Sequence, residues 1–297
     1  MSQQQNELTM KKKDPPFEHH DNGDLWIWES HIPEVYRDGL VLLLRTQLGS
    51  GIKNITFKGT CDDPVDQDGV SSGSTCLRQG LVGQNKILQS LTFDCVNYEA
   101  NPGEFSNLVA TLQHGLKIKE IKFEDCYFVF EDPQAITRNF RPFAQAIRVQ
   151  EELQDFAMIN GENNFENCML SVENTQQLIL ALRMGCLKLK GLHLVDCRVE
   201  GPSLQELIAL LRSPHCQLQT LELLPTEAHF RDDGHDRRMF MNVIESNTLL
   251  VNVYITANQG NRSAELDALV DRVVQCNRMI RKIRDAGWSK SMWTIVL

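Results

Sequence analysis

The stretch Leu189-Lys190-Gly191-Leu192-His193-Leu194-Val195-Asp196-Cys197 decides the reading of the chain. Apolar residues stand at its first, fourth and sixth positions. The last two are two residues apart, the spacing of side chains on one face of a strand. Just downstream, Leu204, Leu207, Ile208 and Leu211 recur with the spacing of one helix face. A short strand therefore leads through a loop into a helix.

The same phrase recurs on both sides of this stretch. Upstream copies are Ile52, Ile55, Phe57; Leu88, Leu91, Phe93; Ile118, Ile121, Phe123; and Leu153, Phe156, Met158. Downstream copies are Leu218, Leu221, Leu223 and Leu250, Val253, Ile255, with a decayed fragment at Ile280 and Ile283. By subtraction, the starts at 52, 88, 118, 153, 189, 218, 250 and 280 lie 36, 30, 35, 36, 29, 32 and 30 residues apart. Helical stripes fill the gaps, among them Phe105, Leu108, Val109, Leu112; Phe140, Phe143, Ile147; and Met239, Phe240, Val243, Ile244. One such unit buries about six large apolar side chains, roughly 2 kcal/mol each. Ordering its ~30 residues of backbone costs on the order of 30 kcal/mol or more. Only stacked units, each sharing burial with two neighbours, are stable, and that requires a solenoid. The expected fold is α/β, with a parallel inner sheet, outer helices and seven to eight repeats.

The phrase L-x-x-L-x-L-x-x-(N/C) resembles that of leucine-rich repeats. Units of about 29 residues with a full helix resemble the ribonuclease-inhibitor-like class. The resemblance covers roughly residues 52–284. It implies that the polar side chain eight places after the first apolar residue bonds loop backbone along the stack. Cys126, Cys197, Thr60, Thr226 and Asn258 occupy that place, whereas Val96 and Gly161 depart from it and interrupt the ladder. The end of the chain, Arg281-Lys282-Ile283 through Trp293-Thr294-Ile295-Val296-Leu297, resembles the tails of leucine-rich-repeat proteins of unicellular algae. Outside the repeats, residues 1–23 read as a disordered polar tail, 24–51 as an N-terminal cap and 285–297 as a C-terminal cap.

Bulk chemistry narrows the function. The formal net charge of −9 disfavours a sequence-independent grip on nucleic acid or anionic lipid. The longest apolar cluster, Leu40 to Leu44, is far short of the roughly 18 residues of a membrane span. No apolar stretch follows the Lys11-Lys12-Lys13 run, so a secretory signal is not expected. Nine cysteines, an odd number with no C-x-x-C pair, fit reduced thiols in the cytoplasm or nucleus.

Catalytic motifs are weak. Gly69-Val70-Ser71-Ser72-Gly73 matches the nucleophile-elbow pattern but sits in an acidic Gly/Ser-rich loop, where a flexible turn explains it better. Asp66-Gln67-Asp68-Gly69 hints at a calcium loop, yet Pro64 and Thr75 stand where that loop needs carboxylates. His19-His20 lacks further ligands at metal spacing. No catalytic residue, metal site or cofactor is therefore expected.

Strand alternation assigns the remaining surface. Counted from the first apolar residue of each phrase, positions +3 and +5 enter the core, so +2, +4 and +6 point outward. In the middle of the chain this places Asp155, Ala157 and Ile159 outward, then Gly191, His193 and Val195, then Thr220, Glu222 and Leu224. Ile159, Val195 and Leu224 form an apolar row beside Asp155, His193 and Glu222, with cover by the long loops as the alternative. These six residues are the expected partner-binding site on the concave face. The function read from them is that of a monomeric, non-enzymatic scaffold holding a protein of basic character. The alternative is a catalytic regulator such as a GTPase-activating protein, for which Arg138 and Arg141 are the candidates.

Overall fold

The computed structural model describes residues 17–28, 32, 34–47, 51–59, 73–81, 87–96, 98, 102–114, 116–126, 133–159, 170–195, 197–224, 235–255 and 264–286. After a short first strand, β1 (Phe17–His19), strands and helices alternate to the end. They run β2 (Asp24–Trp28), α1 (Glu34–Gln47), β3 (Asn54–Lys58), α2 (Gly73–Leu81), β4 (Ser90–Asp94), α3 (Pro102–Gln113), β5 (Glu120–Glu124) and α4 (Pro133–Arg148). The series continues with β6 (Asp155–Ile159), α5 (Val172–Gly185), β7 (Gly191–Val195), α6 (Gly201–Arg212), β8 (Thr220–Leu224), α7 (His235–Ser246), β9 (Asn252–Ile255) and α8 (Ala264–Asp285).

Spatial order equals chain order. The sheet runs β1 to β9 without a crossover, antiparallel at β1–β2 and parallel from β2 onward. Its registration is uniform: Ile55 faces Leu91, Leu91 faces Ile121, Ile121 faces Phe156, Phe156 faces Leu192 and Leu192 faces Leu221. One residue ahead of the strands a second thread of bonds runs the length of the stack. Lys53 N donates to Gly23 O, Gln89 N to Lys53 O, Lys119 N to Gln89 O and Gln154 N to Lys119 O. Lys190, Gln219 and Val251 continue it, and all seven bonds measure 2.7–2.8 Å. The chain is a leucine-rich-repeat solenoid with a parallel inner sheet and outer helices.

The core lies between the sheet and the helices. Both inward positions of every parallel strand are buried, from Leu25 and Ile27 to Val253 and Ile255. They join the buried helix stripes in one continuous cluster, including Leu108 and Leu112 of α3, Leu178 and Leu182 of α5, and Leu207 and Leu211 of α6. Phe57, Phe93 and Phe123 occupy the +5 place in β3, β4 and β5. Their rings stack at centroid distances of 5.0 and 4.9 Å, matching the strand spacing. Met158 takes that place in β6 and ends the stack. Helices on one side leave the +2, +4 and +6 rows facing the inner side of the solenoid.

The structure departs from the sequence expectation in three places. Residues 17–19, expected within a disordered tail, form β1 and hydrogen-bond to β2. The expected N-terminal cap is itself a strand–helix unit, because Asp24–Trp28 pairs parallel with Asn54–Lys58. Its first slot holds Asn22, whose Oδ1 accepts from Asp24 N at 3.1 Å, so the apolar phrase is concealed. Ile280 and Ile283, expected as a decayed strand phrase, lie within α8. The ladder side chain implied by the family likeness is present at Cys126, whose Sγ donates to Phe93 O and Glu124 O, each at 3.3 Å. Val96 is buried and carries no polar group to form that rung. Thr60, Gly161, Thr226, Asn258, residues 66–72 of the two loop motifs, and the C-terminal cap beyond residue 286 lie outside the described residues.

Two outcomes follow from this packing. Leu192 is fully buried on β7 between β6 and β8, and Leu192→Ala should cost about 2–5 kcal/mol in a denaturant titration. A loss below about 1 kcal/mol would contradict the stacked core. Burial pushes the Cys76 thiol up to about 11 and the Cys186 thiol up to about 12, whereas Cys276 is exposed. Native alkylation at neutral pH should label Cys276 well before Cys76 and Cys186. Denaturation without reductant should bring the total to nine labelled thiols.

Candidate functional site

Four consecutive strands, β5 to β8, carry the residues that shape the inner face at its centre. Their outward side chains surround a hollow of about 340 Å³ lined by Glu120, Lys122, Asp155, Ala157, Ile159, His193 and Glu222. The floor is low because β6 presents a small residue there, and the glycine beside it on β7 lets the Asp155 carboxylate lean aside. Ala157 is the smallest residue of the +4 row, between Lys122 on β5 and His193 on β7. Gly191 is the smallest of the +2 row and pairs with Asp155. The Asp155 carboxylate leans into the space that a side chain at 191 would fill. A Cβ on Gly191 would stand 2.0 Å from Asp155 Oδ2.

His193 is held between two acids. Its Nδ1 lies 2.7 Å from Glu222 Oε2, and a carboxylate can only accept there, so Nδ1 carries the hydrogen. Its Nε2 faces Asp155 Oδ1 at 3.6 Å, beyond hydrogen-bonding distance. Asp155 is partly desolvated, and this burial raises its pKa against the opposing pull of His193 and Lys122. Lys122 directs its ammonium to Glu124 on its own strand. Glu120, the register partner of Asp155, is exposed.

Of the six residues expected from sequence, Asp155, Ile159, His193 and Glu222 converge on the hollow. Val195 is half-buried on the same face, and the side chain of Leu224 lies outside the described residues. Glu120, Lys122 and Ala157 belong to the same outward rows and complete the lining. Their signal was the drop in side-chain size at 157 and 191, visible only when neighbouring strands are compared. The long loops expected to cover or deepen this face also lie outside the described residues. Arg141 stands exposed on α4, in the helix layer, and nothing is described of the Arg138 side chain. No group of three His, Cys, Asp or Glu able to hold a metal ion occurs among the described residues. Among them, too, no helix is long and apolar enough to cross a membrane.

No family model matches the sequence, and no curated protein matches it. Among solved structures, the chain is similar to the actin-binding site 2 of leiomodin-1, with a TM-score of 0.37 and 15% identity over 50% of this chain and 78% of that one. It is also similar to a tropomodulin C-terminal domain from Caenorhabditis elegans, with a TM-score of 0.37 and 13% identity over 72% of this chain and 99% of that one. The fold assignment rests on the strand order and register described above.

Asp155 gives the site a stability signature. Its folded pKa lies above its unfolded value. The ionised carboxylate therefore weakens the fold above that pKa, and the penalty fades as pH falls through it. Asp155→Asn should leave the thermal midpoint at neutral pH equal to or above that of the parent. The difference should shrink toward acid pH. A fall of several degrees at neutral pH would mean that the carboxylate supports the fold.

Proposed function

We propose that this protein is a non-enzymatic interaction scaffold that holds a protein partner on its inner face. The observation that carries the reading is the convergence of Asp155, Ile159, His193 and Glu222, from three adjacent strands, on one hollow. Neighbouring strands lie about 4.8 Å apart, so a protein partner spans several repeats at once. Ile159 and Val195, both half-buried, supply apolar contact at one side. The carboxylates at the other side favour a partner with a basic surface and repel an acidic one. The net charge of −9 extends the same preference over the whole molecule.

The finer reading places the chain in the ribonuclease-inhibitor-like class, acting as a monomer inside the cell. Unit lengths near those of that class and a full helix in most units support the first point. The second is supported by the strand order, in which the sheet ends on the short three-residue strand β1. The described cysteines are free thiols, which fits a reducing compartment.

The test replaces Ile159 and Val195 by Asp in one chain. Circular dichroism and the thermal midpoint report the fold, and binding to the native partner recovered with the parent protein reports the site. The expected result is a retained fold with affinity reduced about tenfold or more. Unchanged affinity on a retained fold would remove the inner face as the docking surface.

A further inference from the structure

We infer that the hollow over Ala157 receives a single arginine side chain of the partner protein, with its guanidinium set against Asp155 and Glu120. This rests on the scaffold reading above and adds what the face recognises. Three independent features converge on that occupant.

The first is a pair of neighbouring carboxylates that no described lysine or arginine hydrogen-bonds. Glu120 and Asp155 are direct register partners on neighbouring parallel strands. Like charges opposite one another in a sheet repel. Lys122 gives its ammonium to Glu124 and acts on Asp155 only through space. His193 Nε2 stands 3.6 Å from Asp155, beyond a hydrogen bond, and its Nδ1 is engaged by Glu222. A cation from outside would bond both carboxylates directly.

The second is shape. The floor is a methyl group at Ala157, while Ile159 stands at the opposite end of β6 from Asp155. A long side chain laid along that floor places its methylenes on Ala157 and Ile159 and its head at the +2 row. The volume of about 340 Å³ accommodates one such side chain.

The third is the form of the head group. Two carboxylates on adjacent strands present acceptors to a planar, forked donor, which an ammonium uses only as a point charge. Asp155 is already partly buried in the free protein. Its pairing with a cation therefore loses less hydration than that of a fully exposed carboxylate.

The experiment uses the full chain with isotope labels at the Ala157 methyl and the Gly191 amide. It is titrated with N-acetyl-arginine methylamide, with the lysine analogue and with the neutral citrulline analogue. The expected result is a saturable shift of both signals with the arginine probe, about fivefold or more weaker affinity for lysine and none for citrulline. Glu120→Gln and Asp155→Asn should each weaken the arginine probe several-fold, and Glu245→Gln on α7 should not. An equal response to citrulline, or indifference to both substitutions, would overturn the inference. If the arginine probe fails while the paired Ile159→Asp and Val195→Asp substitutions still abolish partner binding, the arginine site is refuted and the scaffold reading stands. If the probe binds but Glu120→Gln leaves partner affinity unchanged, the occupant is not the partner's arginine and the inference also falls.

Discussion

The hydrogen-bond ladder between successive strands is the constraint on which everything else depends. Each unit leaves its strand's amides and carbonyls without partners inside the unit, and only the next unit satisfies them. From Lys53 to Val251, the same bond recurs one residue ahead of each strand. That repetition holds all parallel strands in one register. A slip of one residue would turn every inward side chain outward. The core then locks what the ladder aligns, since both inward positions of each strand are buried from β2 to β9. The stacked rings of Phe57, Phe93 and Phe123 are one consequence, because only a fixed register brings the same residue type face to face at strand spacing.

The inner face inherits that order. Side chains excluded from the core form three rows whose members sit at regular intervals, so local chemistry is set by which residue each repeat contributes. Most repeats contribute a polar side chain large enough to fill its own place. Repeats four and five counted from Ile52 contribute Ala157 and Gly191, and the surface sinks there. Asp155 occupies part of the space released by Gly191, and His193 is drawn toward Glu222 on the following strand. The charged groups at the centre are thereby oriented by their neighbours before any partner arrives. Such preorganisation reduces the ordering cost of binding.

Much of this architecture was legible in the sequence, because a strand spacing of two and a helix spacing near 3.6 alternate with little noise. Leu192 and Leu194 announce their strand, and Leu204 through Leu211 announce the helix after it. The unit at Asp24–Trp28 escaped because Asn22 replaces the first apolar residue and bonds to Asp24 instead. Ile280 and Ile283 misled because a three-residue interval also belongs to a helix, and α8 claims them. At the site, alternation alone sufficed to place Asp155, Ile159, His193 and Glu222 on one face. It could not reveal the hollow, which comes from the absence of side-chain volume at two neighbouring positions. Nor could it reveal that Lys122 turns to Glu124, since that choice depends on which carboxylate lies nearer in space.

The central claim is that partner recognition takes place on the sheet rather than on the helices. Carboxyl-group footprinting of the free and partner-bound protein by mass spectrometry tests it most directly. The account predicts loss of labelling at Glu120, Asp155 and Glu222 on binding, with Glu245, exposed on α7, labelled equally in both states. Protection of Glu245 with unchanged labelling of the three inner-face carboxylates would contradict it.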